Sequence, residues 1–235
     1  MVLLYFLMRY EVLMLNKKLY VFDLDGTIVD TVEDIAEAMN FVLREEGLPE
    51  KSLDHYRKLV GNGTLNMVAK TLGSDFNRIS EAHSSFEIRY SNNCLVRSKP
   101  FPNIENLLGA ISDSGNYLAV LTNKIQPLAQ KIVSASFPNI VFDAVVGLSP
   151  SNKAKPNPDS LLKLINQFDV DECYMIGDTI VDIETAHNAG VHPIAVLWGY
   201  SSKLELESMR PEQVFNDTDS MFAMFGLNVA TLTRT

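Results

Sequence analysis

Five apolar, β-rich runs punctuate the chain: Leu19 to Leu24, Tyr117 to Thr122, Val141 to Val146, Cys173 to Gly177 and Pro193 to Leu197. Each is nearly continuous in hydrophobic residues instead of alternating, as strands buried on both faces of a parallel sheet are. Helical spacing lies between the later runs, at Ile104 to Ser112, Pro127 to Ser136, Pro158 to Phe168 and Ile183 to Ala189. This β-α alternation predicts an α/β fold, a doubly wound parallel sheet covered by helices on both faces. One interval breaks the pattern. About ninety residues separate Leu24 from Tyr117, against roughly a dozen for an ordinary crossover. The interval carries helical spacing in Ile35, Met39, Val42 and Leu43, then in Leu65, Val68 and Leu72, then from Asp75 to about Val96. An inserted helical cap over residues 31–97 is therefore expected, with residues 1–30 and 98–235 forming the core.

Composition agrees with a packed globular chain: 46% hydrophobic and 21% charged residues leave ample material for a core and exclude a disordered one. Twenty Lys and Arg against 29 Asp and Glu give a net charge of −9. No basic field covers the chain, so neither nucleic acid nor an anionic membrane is an expected partner. The two cysteines, Cys94 and Cys173, lie far apart without metal-type spacing. They exclude a disulfide scaffold and a zinc ribbon and make a reducing cytoplasm the default. Met1 to Leu15 is apolar but contains Arg9 and Glu11 and has neither a basic leading region nor a small-residue cleavage site. It reads as an extra packed element or, by preference, as residues ahead of a natural start at Met14. Oligomeric state is not legible.

The chemistry sits where the apolar runs end. The first run closes in Asp23-Leu24-Asp25-Gly26-Thr27, and two carboxylates two residues apart project to one side of an extended chain. Carboxyl ends of parallel strands are where open α/β sheets bind ligands, and a bound cation would relieve the repulsion between these two charges. A turn held by local Asp and Gly hydrogen bonding is the competing reading of this motif alone. Later runs end in polar groups again: Thr122, Asn123 and Lys124 after Leu121, and Asp178 with Asp182, four apart at a strand-to-helix turn. Lys155 stands in Lys153-Ala154-Lys155-Pro156-Asn157-Pro158, just ahead of a helix, where its ammonium could meet an anion.

At these residues the chain resembles the haloacid dehalogenase superfamily of phosphohydrolases. Its four ordered motifs match Asp23-x-Asp25-Gly26-Thr27, Thr122, Lys155 and Gly177-Asp178-x-x-x-Asp182, over about Lys18 to Phe215. The helical insertion falls where that superfamily places its cap. Shorter segments, Val60-Gly61-Asn62-Gly63, Pro100-Phe101-Pro102 and Trp198-Gly199-Tyr200-Ser201, look like the phosphoglycolate phosphatase-like branch. The resemblance implies Asp23 as the nucleophile that forms an aspartyl-phosphate and Asp25 as the acid and then the base. It implies Mg2+ held by Asp23, Asp178 and the backbone carbonyl of Asp25, with Asp182 beside them or behind. Thr122 and Lys155 would bind phosphoryl oxygens, with Asn123 adjoining. Gly61, Asn62 and Gly63 of the cap would meet the leaving group of a small phosphorylated metabolite, 2-phosphoglycolate being the first choice. Arg57 and Lys58 read better as a solvated helix face.

Within the superfamily, the carboxylate of Asp25 argues against dehalogenase and phosphonatase chemistry. Sugar-phosphate mutases keep both aspartates, although Gly61 to Lys70 contains no arginine of the kind expected in a mutase cap. Pyrophosphatase and nucleotidase activities stay open, and a non-catalytic binding module is the remaining alternative. His187 and His192 read as capping or packing residues, Cys94 and Cys173 as inert core, and Trp198 as a rim or core residue.

Overall fold

A computed structural model describes residues 17–73 and 76–224. The N-terminal segment Met1 to Leu15 lies outside the described residues, and so does any reading of it. Strands β1 (Lys18–Phe22), β4 (Tyr117–Ile125), β5 (Ala144–Leu148), β6 (Glu172–Gly177), β7 (His192–Val196) and β8 (Gln213–Phe215) form one sheet in the order β5-β4-β1-β6-β7-β8. Every pairing in it is parallel.

The continuous hydrophobicity of β1 follows from burial on both sides. Tyr20 and Phe22 face a cluster with α5 (Ile104–Asp113), α6 (Gln126–Ser136) and α10 (Thr218–Met224). Leu19 and Val21 face the opposite cluster, closed by α7 (Asp159–Phe168) and α8 (Ile180–Ala189). A shorter helix, α9 (Lys203–Ser208), packs Leu206 on Ile183 and Ala195. The doubly wound α/β sheet expected from the sequence is therefore present. From β1 the chain builds outward through β4 and β5, then crosses back to β6 on the other side of β1. That reversal makes the carboxyl end of β1 the topological switch point, where an open sheet has its crevice.

Among the described residues, four helices fill the long interval: α1 (Val32–Glu45), α2 (Leu53–Arg57), α3 (Thr64–Leu72) and α4 (Ile79–Asn93). Met39 and Leu43 of α1 and Phe86 and Tyr90 of α4 are buried in the shared core. The insertion leaves and returns through a two-stranded antiparallel ribbon, β2 (Val29–Asp30) with β3 (Lys99–Pro100). Asp34 ties its first helix to its return: Oδ2 accepts from the backbone N–H of Val96, Arg97 and Ser98 and from Ser98 Oγ, at 2.8–3.1 Å.

One strand differs from its expected limits. The run Val141 to Val146 is displaced to Ala144–Leu148, and Val141 is 71% exposed. Asp143 causes the shift, since its backbone and carboxylate both pair with Leu118, at 2.8 Å each, and start the ladder only after it. Among the described residues no helix is long and apolar enough to cross a membrane.

Candidate active site

β1 delivers two carboxylates to the switch point. The backbone N–H of Asp23 still donates to Ile176, so the chain is held in the sheet up to the first of them. It then turns on itself, with the N–H groups of Ile28 and Val29 returning to Leu24 and that of Gly26 donating to Val29. Gly26 has φ 85°, and a Cβ there would collide with the carboxylate of Asp178. Only glycine permits that backbone with that approach. The turn places Thr27 Oγ1 to donate to Asp178 Oδ1 at 2.7 Å, and Thr31 Oγ1 to donate to Asp25 Oδ1 at 2.5 Å.

The end of β6 supplies Asp178 and, one helical turn on, Asp182. Thr179 caps α8, with its N–H and hydroxyl both donating to Asp182 Oδ2 at 3.0 and 2.7 Å. The other oxygen of Asp182 receives Lys155 Nζ at 2.5 Å. The same ammonium lies 2.8 Å from Asp23 Oδ1. Tyr200 closes the opposite side, its N–H on Asp178 Oδ2 at 2.8 Å. The Tyr200 hydroxyl accepts from the N–H of Thr31 and Val32 and donates to Asp30.

Burial dominates the electrostatics. It pushes the Asp23 carboxyl from 3.8 up to about 7, with Asp182 and Asp25 adding to the rise and Lys155 opposing it. Asp178 is raised well above the usual carboxylate range, first by burial and then by the charges of Asp182 and Asp23. Burial alone would lower the Lys155 ammonium, but Asp182 and Asp23 outweigh it and keep the group raised and charged.

Above Asp23 and Asp25 lies a cavity of about 30 Å3, walled on the sheet side by Thr122, Asn123 and Lys124 and on the helical side by α1, the loop after α2, and α3. Asn123 joins the two sides: its amide donates to the carbonyls of Gly61 and Lys155 at 3.0 Å, and its oxygen accepts the Lys155 N–H at 2.7 Å. Gly61 and Gly63 line the cavity. Asn62, expected beside them, is instead exposed and outside the lining, because the two glycines turn the backbone rather than the Asn62 side chain toward the core. Lys155, Asp178 and Asp182 lie against Asp23 and its turn and do not line the cavity itself.

The pattern of the haloacid dehalogenase-like hydrolase family matches residues 20–196 of this chain. The chain belongs to that family. It is 34% identical over 197 residues to the phosphoglycolate phosphatase of Aquifex aeolicus (strain VF5), covering 83% of this chain and 90% of that protein. It is 32% identical over 206 residues to the phosphoglycolate phosphatase of Agrobacterium fabrum (strain C58 / ATCC 33970), covering 85% and 88%. A haloacid dehalogenase-like family hydrolase from Streptococcus pneumoniae superposes with a TM-score of 0.81 at 26% identity, over 90% of this chain and 99% of that one.

In this family member four buried aspartates, Asp23, Asp25, Asp178 and Asp182, meet two buried lysines, Lys124 and Lys155. With all four carboxylates ionised, the charge left uncompensated would equal that of one divalent cation. Ligand oxygens of Asp23, Asp178 and Asp182 all lie within 4.8 Å of one another, and buried carboxylate oxygens of this kind suit a hard cation. Asp23 Oδ1 has the Lys155 ammonium at 2.8 Å as its partner.

Several residues given no role by the sequence belong to the same network: Thr31 and Tyr90, together with Lys124 and Tyr200, which were quoted only as parts of longer segments. Lys124 had a signal in the sequence. A lysine two places after Thr122, inside a buried strand, must find a partner, and it finds Asp25 at 3.2 Å. Tyr90 had none, since it sits in a helix far along the chain and meets Lys124 only through the fold. Elsewhere, His187 bonds the Met209 carbonyl, His192 pairs with Glu212, Cys94 and Cys173 are buried, and Trp198, half-buried against the core, donates to the Thr27 carbonyl. Arg57 and Lys58 are exposed, as a solvated helix face would be.

Proposed function

We propose that this hydrolase is a Mg2+-dependent phosphomonoesterase that works through an aspartyl-phosphate on Asp23, with 2-phosphoglycolate as its substrate and residues 31–97 as its cap. One observation carries the reading: Asp23 and Asp25 stand side by side at the switch point with Thr122 and Asn123 across the cavity. In the first half-reaction an Asp23 oxygen attacks phosphorus. The bond to the leaving oxygen breaks, and Asp25 gives that oxygen its proton. In the second, Asp25 as a carboxylate takes a proton from water, whose oxygen attacks the same phosphorus. Inorganic phosphate leaves and the Asp23 carboxylate is restored.

Thr122 and Lys155 bind the non-bridging oxygens, and Lys155 also screens the anionic ester from the carboxylates. Asp23, Asp178 and the Asp25 carbonyl would hold Mg2+, with Asp182 fixing Lys155 behind them. When bound, the cation supplies charge neutralisation at the phosphoryl group. Asp23 then no longer needs the proton that burial favours.

The substrate class follows from the cavity. Ile35, Leu59, Val60 and Met67 make its outer wall apolar, a poor match for a sugar or a base with many hydroxyl and amide groups. Gly63 and Thr64 also line it, at the start of α3, whose first turn has no acidic residue. That end favours an anionic group such as the carboxylate of 2-phosphoglycolate. A volume of about 30 Å3 holds only a few waters, so the substrate enters with displacement of the cap and a phosphopeptide is excluded on closure. The test is Mg2+-dependent phosphate release from 2-phosphoglycolate, hexose phosphates, nucleoside monophosphates and pyrophosphate. The expected result is selective turnover of 2-phosphoglycolate; equal or faster release from another member of the panel would overturn the assignment.

A further inference from the structure

Lys124 is a buried ammonium on the cavity wall, and such a charge is retained only where its partners repay its desolvation. Its Nζ lies 3.2 Å from Asp25 Oδ1 and donates to the Tyr90 hydroxyl at 2.8 Å, with the Tyr90 ring centroid 4.4 Å away. Tyr90 is itself buried, on α4 of the inserted helices, its ring stacked on Phe86. The Asp25 contacts all fall on one oxygen. Oδ1 receives Lys124 and, at 2.5 Å, Thr31 Oγ1, which leaves Oδ2 free of these two donors, and Asp25 lines the cavity.

We propose that Lys124 is a positioning residue that anchors Oδ1 of Asp25 so that Oδ2 presents the proton to the leaving group, and that Tyr90 makes this anchor depend on the seated cap. This rests on the reading of Asp25 as the acid. With Oδ1 occupied by two donors, a proton on the carboxyl resides on Oδ2, the oxygen free of them. Without Lys124 one of the two donors is lost and the carboxyl turns more freely about its terminal torsion, which is broad and roughly two-fold. Tyr90 ties this to the cap, because any movement that withdraws α4 removes the partner that holds the ammonium over Asp25.

The experiment compares leaving groups. An alkyl phosphate such as 2-phosphoglycolate needs a proton on its departing oxygen, whereas p-nitrophenyl phosphate expels a stable anion and needs little help. General acid catalysis contributes about 10²–10⁴-fold, so Lys124→Met is expected to lower kcat on the alkyl ester by about 10²-fold and on the aryl ester far less, with KM little changed. Tyr90→Phe, which removes only a hydroxyl, is expected to show the same selectivity at smaller size. Asp25→Asn is run beside them. If Asp25→Asn hydrolyses the alkyl ester at the wild-type rate, the acid assignment itself fails. If Asp25→Asn is leaving-group selective but Lys124→Met loses both esters equally, or raises KM with kcat intact, the positioning role alone is overturned. Should Lys124→Met not fold, a wild-type ratio of the two esters in Tyr90→Phe overturns the proposal by itself.

Discussion

Lys155→Met removes the single cation shared by Asp23 and Asp182, and its cost follows from the geometry. Nζ lies 2.8 Å from Asp23 Oδ1 and 2.5 Å from Asp182 Oδ1, with side-chain exposures of 2%, 3% and 0% for the lysine and the two aspartates. Removing one partner of a buried pair costs about 3–5 kcal/mol, because a charge is left without compensation. Here the penalty lies at the lower end. Asp23 is already raised to about 7 and escapes by taking up a proton, while Asp182 keeps the two donors of Thr179. A loss of about 3 kcal/mol is expected near neutral pH without metal, or about 6–12 °C in Tm for a chain of this size. Urea unfolding followed by the fluorescence of Trp198, the one tryptophan, reads it directly. Asp182→Asn added to Lys155→Met should recover part of the loss, since it removes the charge left behind. A cost below about 1 kcal/mol, or a double variant weaker by the sum of the two single losses, would refute the buried charge triad.

Two further outcomes are expected. Asp23 and Asp178 are both raised above 3.8 by burial, so the folded metal-free protein keeps protons that the unfolded chain has released. Its stability therefore falls as pH rises from about 4 to about 7, and Mg2+, which displaces those protons, should stabilise it more at about pH 8 than at about pH 5.5. Equal stabilisation at both pH values, or no proton release in calorimetry, would contradict this. Asp34→Ala removes the acceptor of three backbone N–H groups at the return of the cap. Water reaches Val96 and Arg97, so the loss should be about 2–3 kcal/mol, with faster hydrogen exchange confined to residues 96–98. A change within about 0.5 kcal/mol would show that the Asp34 contacts contribute nothing to holding the return of the insertion.

The sheet and its catalytic edge are legible in the chain because buried parallel strands need no alternation. Tyr20 and Leu19 both have to be apolar, facing opposite cores, and the first polar residues beyond such runs necessarily sit at the sheet's edge. Asp23, Thr122 and Asp178 are found this way. Val141 misleads for the complementary reason: a β-branched residue next to a strand scores like one inside it, yet here it is exposed. The edge strand β8 (Gln213–Phe215) has three residues, too few for any period. Asn62 shows the limit at the site. A flanking pair of glycines signals an unusual backbone, but only the fold decides that the peptide groups, and not the side chain, face the core. The pairing of Tyr90 with Lys124 joins residues 34 positions apart through two separate layers, and no local pattern encodes it.

The covalent step at Asp23 is the claim on which the rest depends. It is tested most directly by acid-quenching the enzyme during turnover of 2-phosphoglycolate with Mg2+ and locating the phosphoryl group by peptide mass spectrometry. The expected result is a phosphoryl group on the Asp23 carboxylate, absent from Asp23→Asn and lost on treatment with hydroxylamine. Turnover that continues in Asp23→Asn, or a phosphoryl group found on another residue, would contradict the mechanism.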